Sequence, residues 1–118
     1  MALSVKRFLF LISVLFCSFT GVYAQTLYWV GGSGNFNDSK HWSLTSGGTP
    51  SNLIPNSATH LVFDNKSRSD HIRVNLPLFS KVKSFNTTNT KSWIIFNSAK
   101  SSILNIHGSL ELSAYTMF

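Results

Sequence analysis

Cysteine is almost missing from this 118-residue chain; Cys17 stands alone. No disulfide framework can staple the residues beyond it, so that part must rely on its own core or on neighbouring sequence. Acids are equally scarce: Asp38, Asp64, Asp70 and Glu111 are all four. Glycoside cleavage needs two carboxylates facing one bond. The nearest pair, Asp64 and Asp70, flanks a polar turn, and an Asp placed directly after a strand, as Asp64 is, commonly caps that turn. His41, His60, His71 and His107 are spread out and have no thiolate partners, which argues against zinc. Asn35, Asn37 and Asp38 offer oxygen ligands without the second acid a calcium loop wants. No catalytic residue, metal site or cofactor is therefore expected.

Long hydrophobic runs are lacking too. The longest, Phe8 to Phe19, is shorter than the roughly 20 residues of a membrane-spanning helix. It follows Lys6 and Arg7 and leads to Val22-Tyr23-Ala24, small residues at the positions a signal peptidase reads. Residues 1–24 thus read as a cleavable signal peptide. Phe16, in front of Cys17, is too large for a lipoprotein site. The protein is expected outside the cell or on its surface, with no stable membrane span after cleavage. Beyond Ala24 the basic residues Lys66, Arg68, Arg73, Lys81, Lys83, Lys91 and Lys100 are scattered. Without a basic cluster, nucleic acid is excluded as a partner.

Helix formers are sparse beyond residue 24, and Asn, Ser, Thr and Gly separate short apolar runs, so strands and turns are expected. Leu27 to Val30 and Leu61 to Phe63 are two such runs. Ile72, Val74, Leu76 and Leu78 alternate with polar residues and Pro77, the period of a half-buried strand that ends or reaches a sheet edge at the proline. Trp93 to Phe96 is apolar throughout and fits burial on both faces. Leu104, Ile106, Gly108, Leu110 and Leu112 share one parity, and Gly108 within them allows two strands meeting at a corner. Asn35 to Ser57, Asn65 to Asp70, Asn86 to Ser92 and Asn97 to Ser102 read as polar connections. No fixed repeat period emerges, so a meander and stacked coils fit equally well. The chain closes on the apolar residues Tyr115, Met117 and Phe118, as the first piece of a larger protein would.

The most distinctive stretch runs from Tyr28-Trp29-Val30-Gly31-Gly32-Ser33-Gly34 through Phe36 and Asp38 to Trp42-Ser43. Its Ser33 lacks the glycine spacing of a nucleophile elbow, and Gly32 and Gly34 lack the third glycine of a dinucleotide fingerprint. The segment resembles the W-x-G-G-x-G-x-W-x-D-x-x-x-W-S element at the start of large exported β-repeat proteins of Bacteroidetes-type bacteria. Phe36 stands where that family usually has Trp. Val62-Phe63-Asp64 and Leu104-Asn105-Ile106-His107-Gly108-Ser109-Leu110-Glu111-Leu112 resemble two later strands of the same family.

The resemblance implies an all-β fold, the start of a parallel β-helix or β-solenoid. Residues 25–58 would form a Gly/Trp-rich capping segment and residues 59–118 the solenoid-like strands. It also implies a non-enzymatic structural or adhesin-like surface protein, whose partners are extracellular glycans or further domains of the same protein. Tyr28, Trp29, Phe36 and Trp42 then have two possible roles. They can shield the first sheet edge, or they can offer rings on which sugars stack, as in a carbohydrate-binding module. A third reading is the N-terminal fragment of a polysaccharide-degrading enzyme.

Overall fold

The computed structural model describes residues 24–67, 70–99 and 101–118. The leader expected at residues 1–24 lies outside them but for Ala24. Eleven short strands make up the described fold: β1 (Gln25–Trp29), β2 (Gly34–Asn35), β3 (Trp42–Ser43), β4 (Thr59–Asp64), β5 (Ile72–Asn75), β6 (Phe79–Val82), β7 (Ser84–Asn89), β8 (Ile94–Asn97), β9 (Ile103–Ile106), β10 (Leu110–Glu111) and β11 (Thr116–Met117). A 3-10 turn at Ser39–His41 is the helical content of the described residues. The fold is all-β.

The strands form three sheets, ordered β10-β7-β4-β1-β3, β11-β8-β5-β2 and β6-β9. From β4 onward the chain visits the three sheets in rotation, and among the described strands every pairing is parallel except β1 with β3. Ile72 pairs with Ile94 and Ile94 with Thr116, the same step along the chain each time (94 − 72 = 116 − 94 = 22). Phe79 pairs with Ile103 (103 − 79 = 24), and Phe85 with Leu110 (110 − 85 = 25). Neighbouring strands thus belong to successive circuits of the chain. The first circuit is longer, with Gln25 opposite Thr59 (59 − 25 = 34), because it holds the 3-10 turn, β3 and the loop after it.

Alternation explains which side chains turn inward. In β4, Thr59, Leu61 and Phe63 are buried while His60, Val62 and Asp64 are half-exposed. Ile72 and Val74 do the same in β5, and Ile94 and Phe96 in β8. Parallel pairing stacks like positions, so Leu27, Leu61 and Phe85 line up in the first sheet and join Val82 of the third in one core. On the outer face Asn75 Nδ2 donates to Asn35 Oδ1 at 3.0 Å, and Asn97 Nδ2 to Asn75 Oδ1 at 3.3 Å. Such amide ladders reward in-register stacking.

Several details differ from the sequence reading. The strand expected to end or reach an edge at Pro77 stops two residues before it, at Asn75, and Leu78 is exposed. Pro77 cannot donate to a ladder, so the chain turns there and starts β6 in another sheet. β7 lies largely inside a segment expected as a polar connection. Its inward positions, Phe85 and Thr87, are fully buried, while Asn86 and Thr88 face outward. Trp93 to Phe96 is buried on one face, with Trp93 itself exposed. The last stretch does break into two strands around Gly108. A Cβ there would sit 2.5 Å from the Lys83 carbonyl oxygen, so the corner admits no side chain without a shift.

Candidate functional site

Of the aromatic residues given two roles above, cap or sugar platform, Trp29, Phe36 and Trp42 turn inward. β1 carries Trp29 to the interior, and its Nε1 donates to the Gly32 carbonyl at 2.7 Å. That bond is possible because Gly31 and Gly32 adopt positive φ, folding the chain back over the indole. Trp42 on β3 likewise donates to the Phe36 carbonyl at 2.7 Å. Trp29 and Trp42 meet edge-to-face at 5.1 Å, Phe36 meets Trp42 at 5.4 Å, and both indoles touch Phe63. Trp29, Phe36 and Trp42 are at most 1% exposed, so none of them can stack on a ligand, and Tyr28 is half-buried on the opposite face of β1. β3 pairs along the outer edge of β1, and His41 stacks on Trp29 at 4.5 Å while its Nδ1 donates to the Val30 carbonyl. These residues close one end of the core. With their indole N–H groups bonded, they hold the interior of the fold.

The acids have local work. Asp64 Oδ1 accepts from the Lys66 N–H at 2.9 Å, and Oδ2 accepts from the Ser46 hydroxyl at 2.6 Å. The Asp64 N–H donates to Ser67 Oγ. This is a capped turn after a strand, with both carboxylate oxygens engaged. Asp38 caps the 3-10 turn through the Lys40 N–H, and Asn35 belongs to the amide ladder, so two of the three weighed calcium ligands are committed elsewhere. Among the described residues no group of three His, Cys, Asp or Glu side chains converges on a common point.

Two other regions have the geometry of an interaction site. At the end opposite Trp42, the described strands β9, β10 and β11 are the outermost of their sheets. Leu76, Leu104, Ile106, Leu110 and Phe118 line an open cavity of about 350 Å³ there, and Leu112 and Met117 are exposed beside it. The second region is a corner. His71, Trp93 and Tyr115 each immediately precede a strand of the second sheet, and the pairing Ile72–Ile94–Thr116 brings them into one exposed column. Asn65, Asp70, Thr90, Lys91 and Ser92 line a narrow cleft beside Trp93. The sequence reading missed this column. The signal that could have found it is an aromatic or imidazole residue ahead of an apolar strand, recurring at equal spacing (93 − 71 = 115 − 93).

Among the described residues no helix is long and apolar enough to cross a membrane. No family model, curated protein or solved structure matches the chain.

Proposed function

We propose that the chain is the N-terminal part of an exported β-solenoid with a structural or adhesive role at the cell surface, and not an enzyme. The observation that carries this reading is the parallel register. Strands in all three sheets pair with the strand of the next circuit at a nearly constant step, from Ile72–Ile94 through Phe79–Ile103 to Phe85–Leu110, so each circuit lies on the one before it. Stacks of this kind bury their apolar face against the next circuit and need a terminal cap.

The two ends differ accordingly. At one, β3 and the Trp29–Trp42 pair cover the core. At the other, Leu104, Ile106, Leu110 and Phe118 are presented around an open cavity beside the outermost described strands. An apolar end with open edges is a template for further strands, and in this reading they are further circuits of the same protein. The likeness of the Tyr28 to Ser43 element to exported Bacteroidetes-type β-repeat proteins agrees with a surface location, as does the leader pattern of residues 1–24.

Mass spectrometry of the protein produced in a bacterial host tests the proposal. A form beginning at Gln25 and recovered from the envelope or the medium is the expected result. A cytosolic product that keeps residues 1–24 would overturn it.

A further inference from the structure

Trp29 and Trp42 are fully buried, whereas Trp93 is 37% exposed and Tyr115 43%. The rings of Trp93 and Tyr115 meet at 5.9 Å, nearly perpendicular at 86°. His71 joins the column from the circuit on the other side, its Nδ1 accepting the Trp93 backbone N–H at 3.1 Å. The column follows from the register, since parallel pairing repeats each position one strand spacing away, about 4.8 Å. Leu110 and Met117 are also exposed, at the open end, and Leu44, Ile54, Leu78 and Phe79 elsewhere. The Trp93 corner differs because a polar cleft adjoins it, with Asp70, Asn65, Thr90 and Lys91 in its walls.

We infer that this corner binds a neutral glycan chain. A pyranose ring has an apolar face of C–H groups and a rim of hydroxyls. An exposed indole suits the first, being large, rigid and polarisable. The exposed Asn65 amide and Lys91 ammonium beside it suit the second, since sugar hydroxyls both donate and accept. The cleft holds about 10 Å³, room for one water-sized group, so it takes a hydroxyl while the sugar ring rests on the aromatic wall. Asp70 and Lys91 oppose one another in charge, which favours a neutral ligand over a polyanion. The perpendicular rings make two walls of a cradle. That shape fits a single soluble chain and not the flat face of a crystalline polysaccharide. His71, Trp93 and Tyr115 come from three described circuits, with Tyr115 beside the outermost strand β11.

The tryptophans provide the assay. Trp93 is the exposed indole, so acrylamide should quench it well ahead of Trp29 and Trp42. The exported full chain is titrated with cellohexaose, chitohexaose and mannohexaose, with a hexagalacturonate as the acidic comparison. At least one neutral probe should protect Trp93 from quenching in a saturable way, and the acidic one should bind no better than it. Tyr115→Ala should then weaken binding by about tenfold, equivalent to about 1.4 kcal/mol. Lys91→Ala, at an exposed side chain, gives the same test by calorimetry should Tyr115→Ala fail to fold, and should weaken binding at least threefold. Protection by none of the neutral probes would overturn the inference. So would binding that both variants leave unchanged, or stronger binding of the hexagalacturonate.

Discussion

Phe63 joins the capped end of the core to the circuits beyond it, and replacing it with alanine should come close to unfolding the protein. Its ring is fully buried and lies 5.5 Å from Trp29, 5.7 Å from Trp42, 5.6 Å from Phe85 and 5.3 Å from Phe96. Truncating a buried Phe costs about 3–5 kcal/mol, and the cost is highest where the surroundings cannot collapse into the hole. Four rigid rings, two of them tied by indole hydrogen bonds, put Phe63→Ala near the top of that range. A domain of this size has a total stability on the order of 5–15 kcal/mol. A loss of about 4 kcal/mol would lower the urea midpoint by roughly 1–4 M. Equilibrium urea unfolding followed by circular dichroism measures it, with Phe79→Ala as the control at a 53% exposed position. The control should shift the midpoint by less than about 0.5 M, corresponding to less than about 1 kcal/mol. Equal shifts for the two variants would refute the assigned core.

Further outcomes rest on the corner and turn contacts. Gly108→Ala should cost about 1–3 kcal/mol in the same assay, because the new methyl meets the Lys83 carbonyl, whereas exposed Ser109→Ala should be near neutral. Thr87 Oγ1 accepts from the Ser113 N–H at 3.0 Å and shares a hydrogen bond with Thr116 Oγ1. Thr87→Val should therefore destabilise by about 1–3 kcal/mol through the donors it strands. Asp64→Ala should lower the thermal midpoint by a few degrees, through a loss of about 1 kcal/mol of turn capping, and glycan turnover is expected of neither this variant nor the parent chain. Turnover in the parent that Asp64→Asn abolishes would restore the enzyme reading.

The all-β class was legible from the short apolar runs, as were β1 and β4, while Gly108 left one strand or two open. The alternation that turns Leu61 and Phe63 inward is plain in the residues themselves. β7 was hidden, because Ser84-Phe85-Asn86-Thr87-Thr88-Asn89 has one large apolar residue, and a threonine that faces the core looks like loop composition until its partners are known. The repeat was hidden for a related reason. The step between paired residues drifts from Ile72–Ile94 (94 − 72 = 22) to Phe85–Leu110 (110 − 85 = 25), and the β4–β7 pairing shifts register between Val62 and Asp64. No fixed period survives along the chain. The aromatic residues of the Gly–Trp element stand out in the sequence, yet their direction was not readable. The same rings serve a cap or a surface, and it is the positive-φ turn at Gly31-Gly32 that folds the chain over Trp29. The exposed column of His71, Trp93 and Tyr115 needed the strand register before it existed at all.

The central claim is that each circuit stacks on its neighbours, and duplicating one circuit tests it most directly. A second copy of residues 84–108 inserted after Gly108 adds one strand to each sheet in register, since Phe85 pairs with Leu110 and the inserted Phe85 would take that place. Stacked repeats owe their stability to nearest-neighbour interfaces, so an added circuit should be accommodated and should contribute its own interface. Thermal unfolding of the duplicated chain should stay cooperative, with a midpoint equal to or above that of the parent. A chain that no longer folds, or that melts well below the parent, would contradict the stacked-circuit account.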